Sequence, residues 1–495
     1  LIQSNYFHRM EELMILITSV IIFFIVFTAL FSKQLNIPVI MIALFVGMIF
    51  GSDISGFVYF DNAEFVKNFS DIVLVFVLFA GGFNIQYKRL KEIIKPTLLL
   101  ATIGVLITSL LTSFIFQKFS NWSFINSFLL ASIISSTDAA AVFSILKNKT
   151  ISNKVGIITE VESAANDPMA IIMTTFVIQY ISGNNVISGS HVILSFIWQF
   201  IGGAIIGYLI AIIAYRFLKY VLKLYKEYIF LFLIGIILCA YGSALLLHAS
   251  GALSAFFCGL TLGNKKFPLK NGINSFVETI SFITNVFLFI LLGLLVFPKE
   301  FSKIWPLSFF LFVILTFIGR PISVFLCTFK WKLNFKENIF LNWSGIRGAV
   351  PIILAIYPLA SGIDKGQEMF NIIFLTVIIS IVVQGTTIGF LADYFSFSKI
   401  IKHKPLQVME LVTVIDTDYE LLEIHLDEDI YKGKVKISNL NLPSDTTITM
   451  ITRNGKILAP TGKTYIYSGD TISILAKNSK VKDITEKILI NFNSI

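Results

Sequence analysis

Charge is scarce in this chain. Only 14% of its 495 residues are Asp, Glu, Lys or Arg, whereas water-soluble domains carry about a quarter, and the shortage excludes an ordinary soluble globule. Cysteine is nearly absent too. Cys239, Cys258 and Cys327 lie far apart in apolar stretches, which suits small buried hydrophobes rather than a disulfide framework. No Gly-x-Gly-x-x-Gly or P-loop occurs, so a dinucleotide fold and nucleotide hydrolysis have no support. An intramembrane enzyme would need a His/Glu metal motif or a nucleophile elbow, and a potassium channel a Thr-Val-Gly-Tyr-Gly pore loop; the sequence has neither.

Apolar residues fill the space instead, at 56% with a mean hydropathy of +0.81. Runs able to cross a roughly 30 Å hydrocarbon core fall near 12–32, 37–52, 70–86, 96–117, 124–146, 160–181, 192–215, 228–247, 250–263, 274–297, 304–329, 338–359 and 367–395. The sequence opens at Leu1. Its first run is too long for a secretory signal and lacks the basic flank, so it reads as a retained span. Residues 1–404 hold 29 Lys/Arg against 18 Asp/Glu, and residues 405–495 hold 10 against 12. The basic excess therefore belongs to membrane loops, not to a nucleic-acid surface. With the first span running inward, 21 loop Lys/Arg fall on one side and six on the other. This bias predicts a multi-pass plasma-membrane protein with its N-terminus outside and its C-terminus in the cytoplasm. Thirteen spans, an odd number, fit that arrangement.

An internal repeat is visible. Ala43, Phe45, Gly47 and Gly51 match Ala255, Phe257, Gly259 and Gly263 at an offset of 212, and the same offset carries Leu74–Gly81 onto Val286–Gly293. Copies seven spans apart cross the membrane in opposite senses, as in transporters whose site lies at the repeat interface. The two halves cover about 12–181 and 228–395. The offset also maps the polar break Ser135-Ser-Thr-Asp138 onto Gly345-Ile-Arg-Gly-Ala-Val-Pro351. Paired interruptions predict two broken helices that line a cavity, with Thr137 and Asp138 offering a carbonyl, a hydroxyl and a carboxylate.

Glu160-Val-Glu-Ser-Ala-Ala-Asn-Asp-Pro-Met-Ala170 is the stretch around which the rest is organised. Asp167 lies a turn or two inside hydrocarbon, where an ionised carboxylate costs about 3 kcal/mol and usually marks an ion or proton pathway. Glu162 and Asn166 stack on one helix face, Ser163 lies a turn below Asp167, and Pro168 frees the carbonyl of Ala164. These are hard oxygen ligands for a small cation, with a carboxylate that can take a proton instead. Arg320 and Arg347 are the arginines within spans, and each needs a buried partner. Arg347 is expected to pair with Glu162, and Arg320 with Asp138 or Glu278 unless it sits at its span's end.

After Lys404-Pro405 the pattern alternates. Leu421–Leu426, Thr446–Thr452, Lys456–Pro460 and Thr471–Ala476 read as strands, Asn454-Gly455 as a hairpin turn, and Val481–Asn491 as a closing helix. The tail is a small α+β domain.

Thr137-Asp-Ala-Ala-Ala-Val-Phe143, Glu162-Ser-Ala-Ala-Asn-Asp-Pro-Met-Ala170, Leu291-Leu-Gly-Leu-Leu295, Gly319-Arg-Pro321, Gly345-Ile-Arg-Gly-Ala-Val-Pro-Ile352 and Gln384-Gly-Thr-Thr387 resemble the NhaP-type branch of the monovalent cation/proton antiporters, its potassium/proton members above all. The tail resembles the TrkA-C (RCK C-terminal) regulatory domain without the nucleotide-binding half that often precedes it. The resemblance implies an NhaA-like helical antiporter fold, a homodimer in the bilayer, and a mobile core moving against a dimerisation domain. It assigns Thr137, Glu162, Ser163 and Asp167 as ligands of a monovalent cation, Asn166 as the pair-mate of Asp167, and Arg347 as the arginine that stabilises the acidic residue. It also implies a small ligand, a cyclic dinucleotide or nucleotide, at the tail. The expected function is potassium or sodium exchange for protons, one for one, with Asp167 binding each in turn and no cofactor. A cation channel or a proton-independent transporter on a related scaffold is the alternative.

Overall fold

A computed structural model gives the fold. It describes residues 39–477 except 88–93, 147–148, 152, 184–188, 225–227, 268, 332, 396, 401–405, 410–418, 427–432, 441, 444 and 454–455, with isolated positions on either side. The first expected span lies almost wholly outside the described residues. The rest of the membrane part is helical: α1 (Val39–Phe50), α2 (Ala63–Asn84), α3 (Ile94–Ser120), α4 (Phe124–Ile134), α5 (Ala139–Ile145), α6 (Asn153–Ile181), α7 (Gly189–Leu224), α8 (Tyr228–Leu246), α9 (Gly251–Gly263), α10 (Lys270–Leu294), α11 (Pro298–Trp331), α12 (Phe335–Trp343), α13 (Ala349–Ala360) and α14 (Gly366–Tyr394).

Seven of the described helices are long and apolar enough to cross a bilayer: α2, α3, α7, α8, α10, α11 and α14. That is fewer than thirteen for physical reasons. The two polar breaks split α4 from α5 and α12 from α13, and α1 and α9 have only 12 and 13 residues. α6 has 29 residues but carries Lys154, Glu160, Glu162 and Asp167.

The helices sort into two bodies. In the first, α1 packs on α10 and α2 on α9, with α7 and α8 alongside. Glycines set these contacts: a methyl at Gly47 would overlap the Ile290 carbonyl, and one at Gly259 the Phe79 carbonyl. These are the windows the repeat singled out, and the two pairs are each other's counterparts. The second body gathers α3–α6 with α11–α14. Its α3 and α11 each widen into a π-turn, at Leu100–Gly104 and Leu315–Gly319, a local loosening common at functional sites. The bodies share one apolar cluster, and there a Cβ at Gly81 would lie 3.9 Å from the Ala164 methyl, at van der Waals distance rather than in overlap.

Beyond α14 the chain becomes β-structure. A short antiparallel pair joins β1 (Lys149–Ile151), between α5 and α6, to β2 (Ser398–Ile400), with Thr150 opposite Lys399. Next come β3 (Leu406–Met409), β4 (Tyr419–His425), β5 (Lys434–Lys436), β6 (Thr447–Arg453), β7 (Lys456–Leu458), β8 (Tyr465–Tyr467) and β9 (Thr471–Lys477). Five form an antiparallel sheet in the order β3-β4-β9-β6-β7, and β5 pairs with β8. Alternation does the work: Leu422, Ile424, Ile451, Ile472 and Ile474 face one core, joined by Ile484 and Ile488. The expected turn at 454–455 and most of the expected helix over 481–491 lie outside the described residues.

Candidate functional site

The broken helices meet where the repeat placed them. α4 stops at Ile134 and α5 restarts at Ala139; α12 stops at Trp343 and α13 restarts at Ala349. The two unwound segments bond to each other, the Asp138 N–H donating to the Ile346 carbonyl at 2.8 Å. Four half-helix ends converge there, two presenting orphan N–H groups and two presenting orphan carbonyls. Asp138 serves the former: Oδ1 accepts from the Ala141 N–H at 3.1 Å and Oδ2 from the Ala349 N–H at 3.4 Å. Gly348 is required beside it, because a methyl there would fall on the Asp138 carboxylate. Arg347 serves the latter, donating to the Ser135 carbonyl and, at 2.9 Å, to the Ser136 carbonyl. Its own N–H donates to Ser380 Oγ at 3.1 Å, and Ser380 in turn donates to Gln384.

The expected arginine pairing is therefore overturned. Glu162 is held by Arg320, in a bidentate pair whose Nη2–Oε2 contact is 2.8 Å, with both side chains almost fully buried. Arg347 is bound within the crossing, where the carbonyls at the end of α4 are its nearest charge-matched acceptors. Neither expected partner of Arg320 is available: Asp138 caps α5 and α13, and Glu278 accepts from Asn84 and Asn274 in the other body.

α6 runs beside the first break. Ser163 Oγ donates to the Thr137 carbonyl at 2.7 Å and accepts from the Ala139 N–H at 2.8 Å. Asn166 Nδ2 donates to Thr137 Oγ1 at 2.8 Å. Thr137, Ser163 and Asn166 thus come together, and all three are buried. Asp167 stands apart from this network. It is partly exposed overall, but its Oδ1 is shut away from water and has no hydrogen-bond partner among the described residues. Ser136 and Asp138 are its polar neighbours; the buried Ser136 hydroxyl is near enough to act on the carboxylate as a hydrogen-bonding group without forming a bond of normal geometry. Asp167 Oδ1 and Ser136 Oγ are thus two oxygens with capacity to spare, of the kind that could hold a dehydrated monovalent cation or, on the carboxylate, a proton.

The sequence reading missed Ser136, Ser380 and Gln384 as parts of the crossing. A signal existed for the last two, since a Ser and a Gln four apart inside apolar α14 must bond to something. Ser136 carried none beyond its place in the break.

A model of the transmembrane sodium/hydrogen exchanger family matches residues 20–394. The K(+)/H(+) antiporter NhaP2 of Shewanella oneidensis is 30% identical over 92% of this chain and 79% of that protein. The Na(+)/H(+) antiporter 1 of Methanocaldococcus jannaschii is 27% identical over 73% of this chain and 91% of that protein. The solved structure of the sodium proton antiporter MjNhaP1 from M. jannaschii at pH 8 superposes with a TM-score of 0.64 at 25% identity, covering 78% of this chain and 98% of that one. With its two crossed helix breaks and the buried acid beside them, the chain belongs to the sodium/hydrogen exchanger family.

Proposed function

We propose that this protein is a monovalent cation/proton antiporter that exchanges potassium or sodium for protons, electroneutrally, by alternating access. It is a transporter, not an enzyme. The observation that carries the reading is the unpartnered buried oxygen of Asp167 in a site where the other charges have fixed partners. Asp167 binds one proton or one dehydrated cation, and only the neutralised carboxylate crosses the barrier readily. Ser163, the Thr137 carbonyl and the Ser136 hydroxyl complete the cation's shell, Asn166 fixes Thr137, and Glu162 works through its pair with Arg320. Asp138 and Arg347 hold the crossing together and are spent on it.

The wider organisation belongs to the same proposal. Residues 1–404 form the membrane domain of thirteen crossings, with the N-terminus outside and the C-terminus in the cytoplasm, assembled as a homodimer in the bilayer. Residues 405–495 form a TrkA-C-like regulatory domain that takes a small ligand such as a cyclic dinucleotide or nucleotide. The test uses the purified chain in proteoliposomes. An imposed potassium or sodium gradient moves protons, Asp167→Asn abolishes this, and a series from lithium to rubidium gives the preference. A rate that follows an imposed membrane potential refutes the one-for-one stoichiometry.

A further inference from the structure

Polar contacts between the two bodies gather at one end of the molecule. The Lys299 N–H and ammonium both reach Asp53, at 2.9 and 3.2 Å, and Gln367 donates to the Leu295 carbonyl at 3.4 Å. These tie the first turns of α11 and α14 to loops of the other body. Deeper in, one contact joins a helix of each body directly: the Tyr357 hydroxyl on α13 donates to Asp71 Oδ1 on α2. Lys67, one turn earlier on α2, binds Asp71 Oδ2 at 3.1 Å and places its ammonium 5.6 Å from the centre of the Tyr357 ring.

This cluster stands in the wall of a cavity of about 810 Å³ between the bodies. Ile171 and Thr175 line the cavity from the second body, Leu74 and Tyr241 from the first. Ile171 lies one helical turn beyond Asp167 on α6, so the cavity ends about a turn short of the carrier residue, which does not itself line it. Tyr357 is 5% exposed, and its hydroxyl would lose the half-buried Asp71 carboxylate if the bodies part. Tyr357 also shares α13 with the crossing that starts at Arg347, so displacing one displaces the other.

We propose that Tyr357, Asp71 and Lys67 form a latch that holds the two bodies together across this cavity and limits its width, and that it opens in every transport cycle. Tyr357 and Asp71 are positioning residues: neither touches the cation, and both act by setting how the carrier body sits on the other. The inference rests on the antiport reading, because only a protein that alternates its access needs such a contact to break.

The experiment uses the full chain in proteoliposomes, with Cys239 replaced by Ser and Thr175→Cys as a reporter of water access. Tyr357→Phe, which removes one oxygen, is expected to raise the labelling rate by a membrane-impermeant maleimide about 3- to 10-fold. It shifts the apparent KM for the cation on one side of the membrane several-fold while the order of preference among cations stays as in the parent. A second variant carries Asp71→Cys and Tyr357→Cys bridged by a reducible bifunctional thiol reagent; exchange is expected to stop and to return on reduction. The latch is overturned if Tyr357→Phe leaves labelling and both KM values unchanged, or if the bridged protein exchanges at the unbridged rate. A parent that moves no protons in a cation gradient overturns the antiport reading itself, and the latch with it.

Discussion

Replacing Glu162 by Gln removes the charge from one end of a bidentate pair and leaves the other end in place. The Arg320 guanidinium then keeps the Leu341 carbonyl, at 3.3 Å, and one neutral amide oxygen of the Gln in place of a carboxylate, while its Nε already has no partner among the described residues. Both side chains are nearly inaccessible, 6% for Arg320 and 1% for Glu162, so water cannot screen what remains. An uncompensated buried charge of this kind costs about 3–5 kcal/mol, against a total stability of about 5–15 kcal/mol. Replacing both residues by Gln removes the stranded charge and restores most of that loss, a coupling of about 2–3 kcal/mol. The assay is a double-mutant cycle read by thermal unfolding of the purified, detergent-solubilised protein. A second cycle, Glu162 with Arg347, serves as comparison: these charges act on each other through space without a hydrogen bond, and their coupling is expected to be the smaller of the two. The reasoning fails if Glu162→Gln melts like the parent, or if the Arg347 cycle shows the larger coupling.

Three further outcomes follow from the geometry. Asp167→Asn is expected to abolish exchange without lowering the melting temperature, because the lost oxygen has no partner to strand; an unstable but active variant contradicts this. Gly348→Ala drives a methyl into the Asp138 carboxylate and is expected to cost about 1–3 kcal/mol. Gly235→Ala meets nothing within 4 Å and should be neutral within about 0.5 kcal/mol, so thermal melts separate them. A chain ended after Ile400 keeps the β1–β2 pair and the Phe397 ring packed edge-on against Phe340 at 5.6 Å. One ended after Phe395 loses both, and it should show lower thermal stability and slower exchange than the longer truncation.

Most of the architecture could be read from the sequence because apolar length and small-residue spacing are local signals. The repeat offset placed the two breaks, and Arg347 bonds to Ser135, 212 residues away, at the repeat distance itself. The arginine partners could not be read in this way. A pairing of Arg347 with Glu162 would have left Asp167 free to titrate, but the choice turns on which unsatisfied group lies nearest in space, and the helix ends at the crossing were waiting for Arg347. The strand pair between Lys149–Ile151 and Ser398–Ile400 was hidden as well: three-residue segments some 250 positions apart have no period to detect. In the tail, alternation around Leu422 and Ile474 was sufficient, since one face of each strand had to be buried.

The charges of the crossing also bear on voltage. Asp138 and Glu162 contribute two negative charges, Arg320 and Arg347 two positive ones, and each is tied to groups of the second body. These four sum to zero, and Asp167 is the further charge at the crossing. A proton cancels it, and so does a potassium or sodium ion. In the proposed cycle these five groups therefore sum to zero in both loaded forms and move no net charge of their own through the field. A membrane potential, worth about 2.3 kcal/mol per charge per 100 mV, has nothing to act on in the loaded steps. The same argument explains the asymmetry of Asn166 and Asp167: an acid at position 166 would add a charge that a single monovalent ion could not cancel. Asn166 instead uses its amide to hold Thr137 Oγ1, which turns the first helix break toward the carboxylate without altering the sum.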